Sequence, residues 1–193
     1  MGTFHIDEIR NIERVKAVRK PEWYYHGFDY KEKDFIDMIT SGIKCPFLIR
    51  GEGIGNNGRF FISLSKDINV QEMSAFYDFL ETNPMFIIEN IKALKCYPLG
   101  TNPIPFFTRD SDWNDEYQAF FKIPTKKIVG IESTVENWVI RDEIAYLKDV
   151  REMITDLEKL GIDLPIYDYS HYEEDTIYEI DKQGYLDLTK KLV

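Results

Sequence analysis

The stretch WNDEYQAFFKIPTKKIVGIE (113–132) places an acid at the mouth of an aromatic strand, then a Pro-Thr turn, then a second apolar strand. Residues 115–124 and 126–132 read as strands because both are rich in aromatic or β-branched residues, and Pro124-Thr125 separates them. Two aromatic strands come earlier and also carry polar residues: EWYYHG (22–27), ended by Gly27, and RFFISLS (59–65).

Between those earlier strands lies GEGIGNNGRFFISLS (51–65), which contains Gly53-x-Gly55-x-x-Gly58. A dinucleotide fingerprint requires a helix after the glycines, because the helix N-terminus receives the pyrophosphate. Here a strand follows Gly58. No Gly-Lys-Ser/Thr occurs either, so the Walker reading also fails. The glycines read as a loop leading into a strand.

The rest of the chain alternates helices and strands. Residues 5–19 read as a short helix with Ile9, Ile12 and Val15 or Val18 on one face, stopped by Pro21. Residues 30–41 read as a helix, with Asp29 and Glu32 as a capping box and Gly42 as its stop. CPFLIR (45–50) reads as an extended piece. Asp67 caps a further helix, MFIIENI (85–91) reads as a buried strand, and YPLGTNPIPFF (97–107) is loop or edge. Ser133 and Glu136 open the longest helix, 134–160, which Gly161 ends. The tail 162–193 is acidic and rich in tyrosine. It reads as a solvated edge with packed tyrosines, or as a cover over a cleft.

The chain has 193 residues, enough for one domain. Its net charge of −10 opposes nonspecific binding to a phosphate backbone. Cys45 and Cys96 read as buried thiols, and three scattered histidines show no metal-ligand spacing. No apolar run approaches a membrane span, so the expectation is a cytoplasmic setting with no membrane partner.

In order and spacing, His26-Gly27, the helix ending Ser41-Gly42-Ile43, Gly58 with Phe60-Phe61, and Glu116-Tyr117 resemble the ADP-ribosyltransferases of the diphtheria-toxin and poly(ADP-ribose)-polymerase type. The resemblance covers residues 22–132, and 114–131 is its most specific part. It implies an α+β fold: a split β-sandwich of two small, mostly antiparallel sheets with flanking helices. Residues 1–193 would form one such domain, comprising the core 22–132, the helix 134–160 and the tail 162–193.

The resemblance also implies NAD as substrate, with no metal. Glu116 would be the catalytic carboxylate, stabilising the positive charge that builds on the ribose as nicotinamide leaves. Gly27 would grip the nicotinamide carboxamide through its backbone, and His26 would hydrogen-bond a ribose hydroxyl. Phe61 or Tyr77 would stack on the nicotinamide ring, and Ser63 would orient Glu116 by a hydrogen bond. Asn114, two residues before Glu116, would face the acceptor, a protein or a nucleic acid.

The second motif departs from the family. A tyrosine is usual there, and this chain has Phe60-Phe61 followed by Ser63-Leu64-Ser65, closer to the Ser-Thr-Ser strand of the arginine-type branch. The implied activity is transfer of a single ADP-ribosyl unit, as in a toxin or effector. The alternatives are NAD hydrolysis, RNA 2′-phosphate transfer, and a degenerate module that binds NAD or ADP-ribose without turnover. Taken singly, His26 reads as a strand-end histidine, Glu116 as a solvated strand-end acid, and Phe60 and Phe61 as core.

Overall fold

The computed structural model describes residues 11–28, 30–50, 60–66, 84–96, 116–133, 143–169 and 176–190. Its strands are β1 (Arg14–Val18), β2 (Tyr24–Gly27), β3 (Ile43–Lys44), β4 (Phe61–Ser65), β5 (Met85–Ile88), β6 (Leu94–Lys95), β7 (Glu116–Phe120), β8 (Lys122–Ile123), β9 (Ile128–Ser133), β10 (Ile166–Tyr169) and β11 (Thr176–Ile180). The helices among the described residues are α1 (Glu32–Ser41), α2 (Pro46–Arg50), α3 (Glu143–Leu160) and α4 (Lys182–Thr189), with a 3-10 turn at Thr125–Lys127. The architecture is α+β.

Nine strands form one sheet in the order β1-β11-β10-β9-β5-β2-β4-β7-β6, and β3 with β8 makes a separate ribbon. Among the described residues only the β9–β10 pairing is parallel. The expectation of two small sheets therefore meets one large sheet, and the reason lies at its centre. Strand β2 pairs with β5 over four residues but with β4 only at Tyr25↔Ser65. The two halves are continuous through that single pair.

Residues directly opposite in a ladder share a face, and neighbours along a strand alternate. Ile62, Leu64, Phe86, Ala119 and Ile131 thus lie on one face, where they pack against Phe35 and Ile39 of α1 and Leu147, Met153 and Ile154 of α3. Tyr30 fastens the two helices by donating to Asp156 Oδ2 at 2.9 Å, while Lys159 holds Oδ1. Burial and the Asp156 carboxylate push the Tyr30 phenol far above its ordinary value. On the other face Tyr25, Met85, Ile87 and Ile177 cluster with Trp23.

Several sequence expectations are corrected. Residues 14–18 form a strand, not part of a helix over 5–19 (residues 5–10 lie outside the described ones). Val15 and Val18, assigned to the apolar helix face, are exposed, and β1 instead completes five pairs along the edge of β11. CPFLIR is not extended. Pro46 takes the first helical position, where its fixed φ and missing N–H are tolerated, and the Leu48 and Ile49 amides donate back to the Cys45 carbonyl. Helix α1 begins at Glu32 with Lys31 as its N-cap and no side-chain cap bond; Asp29 lies outside the described residues.

In the described part of the acidic tail the tyrosines Tyr167 and Tyr185 are packed as expected, but the segment is not a solvated edge. Strands β10 and β11 lie inside the large sheet, and Ile166, Ile180, Tyr185 and Leu186 enter the same core as α1. Other expectations stand. Gly42 ends α1 with φ +91°, and a Cβ there would lie 2.4 Å from the Ile123 carbonyl oxygen, so only glycine fits. Gly161 ends α3 with φ +66°. Residues 85–88 are a buried strand, and Cys45 and Cys96 are buried thiols. The glycine loop up to Arg59, the helix after Asp67, the proline-rich segment 97–107 and the opening of the long helix at 134–142 lie outside the described residues.

Candidate active site on three adjacent strands

The strands that carry His26, Ser63 and Glu116 are immediate neighbours toward the β6 edge of the sheet, in the order β2-β4-β7. The β4–β7 register pairs Ser65 with Glu116, Ser63 with Gln118 and Phe61 with Phe120. These six residues share the face opposite α1 and α3. Tyr25 joins them through its pairing with Ser65.

Glu116 is 6% exposed, so it is not the solvated strand-end acid that its sequence position alone suggests. A buried carboxylate is costly unless it is hydrogen-bonded. Ser63 Oγ donates to Glu116 Oε1 at 3.0 Å. The contact is diagonal, from Ser63 to the residue two before its direct partner, a separation that a long glutamate side chain spans. A hydrogen bond to an ionised acceptor is among the stronger ones available. Ser65 and Gln118, both buried, complete a polar row on this face.

His26 follows Tyr25 on β2 and lies opposite Phe86, so it is on the other face of the sheet, and its ring meets β4 at the Ser63 backbone rather than at the polar row. Its Nδ1 lies 2.9 Å from the Ser63 carbonyl oxygen. A carbonyl only accepts, so Nδ1 carries the proton, and in the neutral ring Nε2 is an acceptor. Burial lowers the His26 pKa, and the bond to Ser63 partly opposes that shift. The neutral ring is therefore the favoured form at neutral pH. One serine thus links the other two residues: its carbonyl accepts a hydrogen bond from the imidazole N–H, and its hydroxyl donates to the carboxylate.

The remaining expected residues divide. Gly27 ends β2 opposite Met85. Phe61 is buried on the same face as Ser63 and Glu116, as strand alternation implies. Phe60 instead joins Phe47 and Phe121 in a ring cluster, with centroids 5.0 and 6.0 Å away. Tyr77 and Asn114 lie outside the described residues. Sequence reading missed Ser65 and Gln118. The available signal was alternation, since Gln118 is two residues beyond Glu116 and Ser65 two beyond Ser63.

Three strands away on the same face, Arg19 grips Glu132, with Nη2 2.5 Å from Oε1 and Nε 3.5 Å from Oε2. Burial raises the Glu132 carboxyl, and Arg19 opposes the shift. This pair pins the connection between β1 and β2 where it passes over β9.

Among the described residues no His, Cys, Asp and Glu cluster is placed to hold a metal ion, and no helix is long and apolar enough to cross a membrane. Comparison of the chain with family models, curated proteins and solved structures returned no match.

Proposed function

We propose that this protein transfers a single ADP-ribosyl unit from NAD⁺ to a protein or nucleic-acid acceptor. The observation that supports the reading is the continuous linkage His26–Ser63–Glu116 across three adjacent strands, where sequence resemblance alone had named the three residues. On this reading the single-pair junction of β2 with β4 at Tyr25↔Ser65 marks the split of the sandwich, with the polar row on one of its faces.

The chemistry follows from the residue types. The bond between the nicotinamide nitrogen and the ribose carbon breaks, and its electron pair leaves with the neutral nicotinamide. Positive charge develops on the ribose, and the Glu116 carboxylate, fixed by Ser63, stabilises it where it forms. Preorganisation matters because a carboxylate already held by a hydrogen bond need not reorient in the transition state. The acceptor then supplies the electron pair for the new bond and loses a proton. His26, with Nε2 as an acceptor, would hold a ribose hydroxyl, and Gly27 would bind the carboxamide through its backbone. Phe61 would supply the ring that stacks on nicotinamide.

Phe61 is also the observation that favours a second reading, a module that binds NAD without turnover, because it stands where a tyrosine is usual. Labelling separates the possibilities. A lysate given tagged NAD⁺ and the wild-type protein should gain one ADP-ribosyl unit per modified acceptor, and Glu116→Gln should abolish the label. Release of free ADP-ribose without labelled acceptor would assign hydrolysis. Saturable binding of NAD⁺ with neither product would assign the module.

A further inference from the structure

Strands β4 and β7 are paired along their whole length, whereas β2 meets β4 in a single ladder pair, Tyr25↔Ser65, and a built fastening lies beside that pair. Lys66, the first residue after β4, is exposed, yet its ammonium is fully engaged. Its Nζ lies 4.9 Å from the centre of the Tyr24 ring and 5.9 Å from that of Tyr117, and it donates to the Pro21 carbonyl at 3.1 Å. The two tyrosine rings meet edge to face, with centroids 5.4 Å apart. Tyr24 precedes Tyr25 on β2, Tyr117 follows Glu116 on β7, and Lys66 follows Ser65 on β4. A single cation therefore touches all three site strands one residue from the row Tyr25–Ser65–Glu116. It also ties down the segment that leads into β2.

We propose that Lys66 is a positioning residue for Glu116, clamping β2, β4 and β7 from the opposite face of the sheet, behind the row Tyr25–Ser65–Glu116. The ring faces attract the ammonium, and the charge cannot slide along the strands because the Pro21 carbonyl fixes its third direction. The clamp lies on one side of the Tyr25↔Ser65 pair, and the bond from His26 to the Ser63 carbonyl lies on the other. The significance for catalysis rests on the reading of Glu116 as the working carboxylate. The clamp itself does not.

Amide hydrogen exchange decides the matter without reference to activity. Lys66→Met and Lys66→Gln should speed exchange at residues 24–25 and 116–118 by roughly three- to tenfold, with α3 unchanged. Lys66→Arg should restore the wild-type pattern, because a guanidinium also binds ring faces. In the nicotinamide-release assay the same Met and Gln variants should lower kcat several-fold with little change in KM. Exchange that is unchanged in both variants would overturn the clamp, and so would exchange that rises equally over the whole sheet. If the wild type released no nicotinamide, the catalytic reading would fall, and the exchange pattern would still judge Lys66.

Discussion

The Ser63 hydroxyl donates to Glu116 Oε1 at 3.0 Å across the β4–β7 ladder, and the Ser63 carbonyl meets His26 Nδ1 at 2.9 Å. A residue that departs from the tyrosine pattern of the resembled family thereby joins the two that keep to it. Ser63→Ala removes the hydroxyl and leaves the backbone bond to His26 intact. A hydrogen bond to a charged group contributes about 1.5–3 kcal/mol, so nicotinamide release should fall roughly ten- to hundredfold at unchanged fold. Steady-state kinetics with the circular-dichroism spectrum as a control would check this. A rate within twofold of wild type would mean that Ser63 does not orient the carboxylate.

His26 offers a test by shape and by pH. An asparagine amide nitrogen falls near the position of Nδ1, and a glutamine amide extends toward that of Nε2. If the bond to Ser63 is the main structural duty of His26, Asn should preserve stability and Gln should not. Burial depresses the His26 pKa in the fold, so its neutral form stabilises the protein fully above the unfolded value of about 6.5. That contribution is lost as pH falls through and below that value, because the unfolded chain then binds the proton more readily. Urea midpoints between pH 7.5 and 5 should drop more steeply for wild type than for His26→Asn. Parallel curves would contradict the assignment.

The Arg19–Glu132 pair should carry stability rather than chemistry. Arg19→Met leaves a buried carboxylate without its cation, a change that typically costs about 3–5 kcal/mol. Adding Glu132→Leu should recover most of the loss. Because burial already raises the Glu132 carboxyl, the deficit of the single variant should shrink as pH falls and the acid is neutralised. Urea denaturation of the two variants at pH 7 and pH 5 would show it.

Legibility in the sequence followed the length scale of the interaction. Helix α1, its stop at Gly42, and the strands around Phe61, Met85 and Glu116 are set by local pattern, and they were readable. The N-terminal strand was not, because RVKAV supports either a helix or a strand, and only the open edge of β11 decides between them. The burial of Glu116 was hidden for the same reason: strand ends are usually solvated, and the residues that shield this one come from β4 and from its own strand two positions on. Ser63 could be singled out because it was the point of departure from a known pattern. Gln118 and Lys66 could not, since their significance depends on which strands lie side by side. A three-strand neighbourhood drawn from residues 24, 66 and 117 is not written in any local run of the chain.

The most direct measurement of the central claim is nicotinamide release from NAD⁺ by wild type and by Glu116→Gln, an isosteric change that keeps an acceptor for Ser63. Wild type should release nicotinamide, and the variant should lose at least about a hundredfold in rate, the scale of removing a charge that stabilises a transition state. Equal rates in the two proteins, or no release by wild type at saturating NAD⁺, would contradict the assignment of Glu116 as the catalytic carboxylate.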